Sequence, residues 1–117
     1  SFCITNPNSL NPWLEVQLSA EATVEYVEVY ARSDCCQRFL SPFEIWLGDT
    51  AGAPVRQCGT LNTVASTVGP HRVGCGLVGA YVTLRLPGGG RMLTVDELVS
   101  VGRYLKVLQS RVQRRIR

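Results

Sequence analysis

The chain has 117 residues, of which 45% are hydrophobic and 18% are charged, and its formal net charge is +3. These values are ordinary for a single folded globular domain that can bury its own hydrophobic core. No apolar run approaches the roughly 18 residues that a membrane-spanning helix requires, so we expect no transmembrane segment.

Hydrophobic residues alternate with polar ones along much of the first hundred positions, which is typical of β-strands with one buried face. Glycine and proline residues separate the alternating runs, and we find no internal repeat or low-complexity linker. Short strands with frequent turns favour an all-β antiparallel sandwich or barrel. In chain order the alternating runs are residues 14–18, 27–31, 43–47, 82–86 and a stretch that begins at 93.

Residues 103–117 hold six of the twelve basic residues and none of the nine acidic ones, so the rest of the chain is mildly acidic. Their apolar residues follow helical spacing, which predicts a short basic amphipathic helix or tail. We favour a solvated helix that packs one face on the domain or on a partner. Contact with an acidic partner or membrane surface is the alternative, and we expect no nucleic-acid partner. The apolar residues of this tail are Leu105, Leu108, Val112 and Ile116.

The chain contains five cysteines, more than is usual for a cytosolic protein of this size, which favours an oxidising compartment. Cys35 and Cys36 are adjacent, about 3.8 Å apart at Cα, whereas ordinary disulfides span roughly 4.4–6.8 Å. A bond between them would therefore form a small, stiff ring with an apolar face. Two independent thiols are the alternative that these residues leave open.

Charged residues flank the cysteine pair: Arg32 and Arg38 lie on either side of it, and Asp34 lies directly before it. Arginine supplies planar, rigid donors for sugar oxygens, and a nearby carboxylate can hold the guanidinium still. A stiff cysteine pair could contact the C–H face of a sugar ring. The alternative is a solvated loop with a weak surface ion pair.

The sequence offers little for catalysis or for other cofactors. Its single histidine, His71, has no identifiable orienting partner for a Ser-His-Asp triad. His71 and Cys75 are four residues apart, but no Cys-x-x-Cys completes a zinc site. The Gly88–Gly90 turn lacks the following Lys-Ser or Lys-Thr of a phosphate loop. We therefore expect a binding protein and not an enzyme.

These motifs together resemble the F-type lectin (fucolectin) family of discoidin-like, F5/8 type C β-sandwiches. The family pattern Pro-Trp-Trp-x-Val-x-Leu is similar to residues 12–18, and Arg-x-Asp-Cys-Cys with a second Arg is similar to residues 32–38. The likeness runs from about residue 3 to residue 102. Further similar segments are Phe43-Glu44-Ile45, Leu47-Gly48, Ala80-Tyr81-Val82, Leu86-Pro87-Gly88 and Leu93-Thr94.

The resemblance implies an antiparallel jelly-roll or discoidin-like sandwich over residues 1–102, followed by the basic tail at 103–117. It also implies a secreted or cell-surface protein. The likeness begins after the family's first strand, and a sandwich without that strand would expose an unpaired edge. We therefore expect another chain or segment to cover the edge, as in a larger assembly or polypeptide.

The resemblance further implies binding of terminal L-fucose, with Arg32 and Arg38 as donors, Asp34 orienting them, and a Cys35–Cys36 disulfide as the platform. Thr5 stands where the family has a sugar-binding histidine. A second disulfide between Cys58 and Cys75 is also implied. The implied sugar-binding residues are thus Arg32, Asp34, Cys35, Cys36, Arg38 and Thr5.

The family usually binds a calcium ion, and Glu97 matches one of its calcium ligands. Calcium prefers six to eight oxygen ligands, and Glu97 is the one matching ligand that this sequence offers. The family's last-strand cysteine is replaced by Asp96, which leaves Cys3 as the odd thiol, and Arg38 comes one residue earlier than the family's second arginine.

Two functions follow from this comparison. The first is a carbohydrate-binding module for fucosylated glycans, which rests on the residues of the 32–38 loop. The second is a lectin-fold structural or protein-interaction subunit of a larger assembly, which has lost the sugar. The second rests on Thr5, the shortened loop, the odd Cys3 and the basic tail, and these departures favour it for this chain.

Overall fold

The structure is a computed structural model that describes residues 8–62 and 66–102, together with the backbone of residues 3–4 and 112–113. The part described is almost entirely β, which confirms the all-β fold class. One short 3-10 helix spans Gln37–Leu40. The strands are β1 Cys3–Ile4, β2 Trp13–Tyr30, β3 Phe43–Gly48, β4 Pro54–Asn62, β5 His71–Arg85, β6 Thr94–Val95, β7 Glu97–Gly102 and β8 Val112–Gln113.

The main sheet is antiparallel and has the strand order β4-β3-β5-β2-β7, with β8 pairing to β2 beside this path. The two long strands β2 and β5 form its centre and pair with each other along most of their length. The first part of β2 has β8 as its other neighbour, and the last part has β7. A separate two-stranded sheet joins β1 to β6.

Strand β2 changes the side that it turns towards the core partway along its length. Between Val24 and Tyr26 it has one residue more than its neighbour β7, because Val24 pairs with Gly102 and Tyr26 pairs with Val101. One extra residue in a strand moves every following side chain to the opposite face. The buried residues are accordingly even-numbered at Leu14, Val16, Leu18 and Val24, and odd-numbered at Val27, Val29 and Ala31.

The buried hydrophobic residues of the described part form one cluster, which packs against the main sheet and under the loop between β2 and β3. Its largest members include Phe43, Ile45 and Leu84, all fully buried. Leu40 of the 3-10 helix belongs to the same cluster, so the loop is anchored to the core. The remaining buried members are Leu14, Val16, Leu18, Val24, Val27, Val29, Ala31, Leu47, Cys58, Val73, Val82, Leu86, Leu93, Val95 and Leu98.

Both expected disulfides are present. Cys58 on β4 bonds to Cys75 on β5, with their Cα atoms 4.6 Å apart and a sequence separation of 17. Cys35 bonds to its neighbour Cys36, with a Cα separation of 3.8 Å. The first disulfide ties the edge strand of the sheet to a central strand, and the second lies within the loop after β2.

The C-terminal tail differs from the helix predicted for it at the two residues that are described. Val112 and Gln113 form strand β8, paired with Val16 and Glu15 of β2. The backbone of β2 pairs with these two residues, and the helical spacing of apolar residues in the tail gave no indication of this pairing. The other residues of 103–117 lie outside the described residues. Nowhere in the part of the chain that is described does a helix have the length and apolar character needed to span a bilayer.

Candidate functional site

The 32–38 loop leaves β2 between two fixed points. The amide of Ala31 donates to the carbonyl of Val68 at 2.7 Å, and the amide of Asp96 donates to the carbonyl of Tyr30 at 2.8 Å. At the other end of the loop, Leu40 is completely buried. The loop is therefore held at both ends, and its exposed middle carries the charged residues and the adjacent cysteines.

Arg32 and Asp34 form a two-bond ion pair in this loop. Arg32 Nε donates to Asp34 Oδ1 at 2.6 Å, and Arg32 Nη2 donates to Asp34 Oδ2 at 2.8 Å. The hydrogen bond from Arg32 lowers the pKa of Asp34, and the backbone amides of Asp34 and Cys35 add to this effect. The same hydrogen bond raises the pKa of Arg32. This pairing fixes the plane of the guanidinium.

The Cys35–Cys36 disulfide follows this ion pair directly, and both cysteines are half-buried. Cys36 has a left-handed backbone conformation, with φ 70° and ψ 22°, which is uncommon for a residue with a side chain. The carbonyl of Cys36 accepts a hydrogen bond of 3.0 Å from the amide of Phe39. The chain therefore turns sharply at Cys36 and enters the 3-10 helix.

Gln37 was not singled out by the sequence, yet it closes this loop. Its Nε2 donates to the carbonyl of Arg32 at 2.8 Å. The bond joins the two ends of the segment that contains Asp34 and the disulfide. A lone glutamine carries no motif, so nothing in the sequence pattern pointed to it.

Arg38 is exposed and lies in a different setting from Arg32. Its guanidinium carbon lies 4.6 Å from the centre of the Phe39 ring, a cation–π contact. It lines a recess of about 250 Å³ in which Arg32, Asp34 and the disulfide take no part. The structure thus does not bring the two arginines into one pocket. The residues lining this recess are Arg38, Phe39, Ser41, Gly90, Arg91 and Met92.

Arg91 is a second residue that sequence reasoning missed. Its Nη1 donates to the carbonyl of Pro87 at 2.8 Å, and its Nη2 donates to the carbonyls of Pro42 at 3.0 Å and Phe39 at 3.4 Å. Burial lowers its pKa. The side chain therefore fastens the turn after β5 to the segment that carries Arg38.

The two remaining predicted site residues are Thr5 and Glu97. Thr5 is outside the described residues. Glu97 is exposed and begins β7, opposite Tyr30 of β2. Among the described residues there is no group of three or more His, Cys, Asp or Glu side chains that could hold a metal ion. Glu97 alone does not fit the oxygen-rich shell that calcium prefers, and calcium binding stays a prediction.

The family model described as the NedA-like, galactose-binding domain of the F5/8 type C family matches residues 1–84. The chain belongs to this family. It is also similar to Fucolectin-6 of Anguilla japonica, with 29% identity over 86 residues, which is 73% of this chain and 46% of the relative. The chain thus spans about half the length of that curated relative.

Solved structures agree with this assignment. A fucolectin from the serum of Morone saxatilis superposes with a TM-score of 0.77 and 28% identity, over 87% of this chain and 36% of that one. A fucose binding module of Streptococcus pneumoniae superposes with a TM-score of 0.68 and 26% identity, over 88% of this chain and 70% of that one. The chain is an F-type lectin-like domain with the discoidin-like fold.

Proposed function

We propose that this F-type lectin-like domain binds fucose-containing glycans at the surface formed by Arg32 and the Cys35–Cys36 disulfide. The observation that carries the proposal is the two-bond pairing of Arg32 with Asp34 directly before that disulfide. The similarity to a fucose binding module supports the choice of sugar. The domain acts by binding and has no catalytic role.

Each group at this surface has a distinct role in the proposal. The guanidinium of Arg32 donates hydrogen bonds to the hydroxyl or ring oxygens of the sugar, and Asp34 keeps its plane in position. The half-buried disulfide offers a polarizable, apolar face to the C–H side of the ring. Its short ring and the left-handed turn at Cys36 keep that face rigid, which lowers the ordering cost of binding.

Arg38 and Thr5 have secondary roles. Arg38 is exposed and donates from its own recess, where the ring of Phe39 lies against its guanidinium. Thr5 supplies a hydroxyl where an imidazole would stand in the family pattern. With Arg38 turned towards a separate recess, Arg32 carries the larger share of recognition, so we expect modest affinity for free fucose and tighter binding to a longer glycan.

The proposal is tested by titrating the full chain, with its disulfides intact, with L-fucose in a calorimeter and by probing it on a fucosylated glycan array. Arg32→Lys should weaken fucose binding by about 10- to 100-fold, because lysine cannot make two parallel bonds to a carboxylate. Arg56→Lys is the matched control, since Arg56 makes a similar two-bond pair with Asp49, at 2.6 and 3.4 Å.

Arg56→Lys should leave fucose binding unchanged. No heat of binding and no signal on the array, with Cys35–Cys36 shown to be oxidised by mass spectrometry, would refute the proposal. Equal losses in Arg32→Lys and Arg56→Lys would also count against it, because they would indicate a general loss of folding.

A second function is favoured by the position of Arg38. Because Arg38 lines a recess apart from Arg32, the site is less convergent than a sugar site with two arginines. Pairing of β8 with β2 also places two residues of the basic tail, Val112 and Gln113, beside the sheet. Under this alternative the domain is a structural or protein-interaction subunit. Sedimentation analysis of the chain with and without residues 103–117 tests it, and a monomer unaffected by the deletion would contradict it.

We also propose a secreted or cell-surface location. Two disulfides within a chain of this size are expected in an oxidising compartment and are rare in the cytosol. Reducing conditions like those of the cytosol should therefore abolish the disulfide face on which the proposed sugar contact depends.

A further inference from the structure

Glu15 is a buried acidic side chain that the proposed fucose site does not use. It lies in β2 and is only 1% exposed. Its Oε2 accepts a hydrogen bond of 2.6 Å from the backbone amide of Gly52, but its Oε1 is buried without a hydrogen-bond partner. Leaving a buried carboxylate oxygen unpaired costs free energy, so such an atom calls for an explanation.

Glu15 lines a pocket of about 580 Å³ beside strands β2 and β5. This volume lies within the range of roughly 300–1,000 Å³ that is usual for small-molecule sites. The floor is formed by adjacent strands, because Trp13 lies opposite Arg85 and Glu15 lies opposite Thr83 in the pairing of β2 with β5. The other lining residues are Leu10, Asn11, Gly52 and Pro54.

The wall at Gly52 comes from the hairpin between β3 and β4. Gly52 has a left-handed backbone with φ 73°, which glycine adopts without steric cost. In this turn the amide of Gly52 points towards the carboxylate of Glu15. One carboxylate oxygen is thus fixed by the hairpin, and the other is a buried oxygen without a partner in a side chain that lines the pocket.

The charges around the pocket limit what could enter it. A cationic ligand would suit Glu15 but would be repelled by Arg85. An anionic ligand would suit Arg85 but would be repelled by Glu15 and by Glu44, which lies 3.5 Å from Arg85. A neutral ligand that both donates and accepts hydrogen bonds satisfies both groups and also the hydroxyl of Thr83.

Trp13 adds an apolar surface to this polar set. Its half-buried indole lines the pocket beside the polar groups. An aromatic plane next to a carboxylate, a guanidinium and a hydroxyl matches a sugar ring, which has an apolar C–H face and a rim of hydroxyls. Sugar hydroxyls can donate to Glu15 and accept from Arg85 at the same time.

We propose that the pocket lined by Trp13, Glu15, Thr83 and Arg85 is a second carbohydrate-binding site, which takes a neutral pyranose. It shares no lining residue with the recess at Arg38, and neither Arg32 nor the Cys35–Cys36 disulfide lines it. The proposal is independent of fucose binding at the 32–38 loop. A domain with two such sites would bind two residues of one glycan, or two glycans.

The test is an amide and indole NMR titration of the full chain with D-glucose, D-galactose, D-mannose, N-acetyl-D-glucosamine and L-fucose. Concentrations up to about 50 mM cover the weak, millimolar end of affinity. We expect at least one sugar to give saturable shifts at the indole N–H of Trp13 and at the amides of Gly52 and Thr83. Signals of Cys36 and Gln37 report separately on the 32–38 loop, so each site can succeed or fail by itself.

Glu15→Gln should weaken the response at Trp13 by at least about tenfold, because the amide can still accept from Gly52 but places a donor where the carboxylate oxygen stood. Glu28→Gln is the matched control on the same strand, outside the pocket, and should bind like the unmodified chain. If Glu15→Gln does not fold, Thr83→Val tests the site by removing only a hydroxyl.

Three results would overturn the proposal. The first is no saturable shift at Trp13, Gly52 and Thr83 with any of these sugars. The second is binding that Glu15→Gln and Thr83→Val leave unchanged. The third is a saturable response to ethylammonium or calcium ions with none to the sugars, which would make the pocket a cation site.

Discussion

The side chain of Arg32 is 19% exposed, whereas that of Asp34, its partner in two hydrogen bonds, is 61% exposed. The side chain of Arg32 is therefore largely buried, and the carboxylate that fixes its orientation is exposed to solvent. Protons reach the carboxylate freely, which makes the orientation of Arg32 sensitive to acid.

Fucose binding should fall in acid because Asp34 must be ionised to hold Arg32. The hydrogen bond from Arg32 keeps the pKa of Asp34 below its ordinary value of 3.8. A group whose pKa is lowered on folding contributes above its unfolded pKa and loses that contribution as the pH falls through its folded pKa. We expect affinity to be flat at neutral and mildly acidic pH and to decline only below the ordinary carboxyl pKa of 3.8, because the pKa of Asp34 is lowered. Calorimetric titrations across this range measure it.

Asp34→Asn is the control for this acid step. It should bind more weakly at neutral pH and show no decline of its own as the pH is lowered. A decline of the same size and midpoint in the Asn variant would assign the step to another carboxylate.

Removing the Cys35–Cys36 disulfide should affect binding much more than stability. The bond joins neighbours and closes almost no loop, so it restricts the unfolded chain very little. We expect Cys35→Ser with Cys36→Ser to change the free energy of unfolding by less than about 1 kcal/mol. Fucose affinity should fall at least about tenfold, since the apolar face becomes two hydroxyls. Urea unfolding and calorimetry check the two quantities, and unchanged affinity would remove the disulfide from the site.

Removing the Cys58–Cys75 disulfide should have the opposite effect. Its 17-residue separation closes a loop that is costly to order from the unfolded chain. In the chain-entropy description a loop of this length corresponds to about 3 kcal/mol. We expect Cys58→Ala with Cys75→Ala to lower the free energy of unfolding by that amount in urea titrations. The folded fraction of this variant should bind fucose with unchanged affinity. A large loss of affinity would contradict a purely stabilising role for this disulfide.

Arg91→Ala should loosen the segment that carries Arg38. Its guanidinium donates to the carbonyls of Pro87, Phe39 and Pro42, and the variant leaves these acceptors without that partner. We expect the free energy of unfolding to fall by about 2 kcal/mol. Hydrogen exchange at the amides of Phe39 and Ser41 should accelerate, which a general loss of stability would not confine to this segment.

Arg91→Lys is the conservative comparison. It keeps the charge but supplies a single ammonium in place of the planar fork, so it should recover only part of the protection. Full recovery by lysine would indicate that charge alone, and not the three-way geometry, holds the segment.

Much of the strand content was predictable because each strand buries one face. The alternation at residues 14–18 and 27–31 predicted two strands, and the structure has one, β2, that contains both up to Tyr30. The intervening stretch, Ser19–Thr23, is polar or small, so it carried no alternation. Pairing with β5 on both sides of this stretch, a contact distant in sequence, joins the two runs in one strand, and local pattern cannot convey it.

The part of the candidate site that has an unusual combination of residue types was predictable from the sequence. The single polar residues whose partners are distant in sequence were not. The adjacent cysteines between arginines marked the loop at once. Gln37 holds that loop and Arg91 holds the segment after it through backbone carbonyls, and Glu15 meets its one partner in the hairpin between β3 and β4. None of the three belongs to a motif, since their partners are brought to them by tertiary structure.

The continuity of β2 and β5 has a consequence for how the domain comes apart. β2 and β5 pair with each other near both ends of β2, and the last part of β2 also pairs with β7. Neither end of the sheet can therefore unfold while both long strands stay intact. Partial opening is thereby disfavoured, and unfolding should proceed as one all-or-none event. The loop at 32–38 would then stay formed until the whole domain melts, and loss of the sugar site and loss of the fold would share a single midpoint.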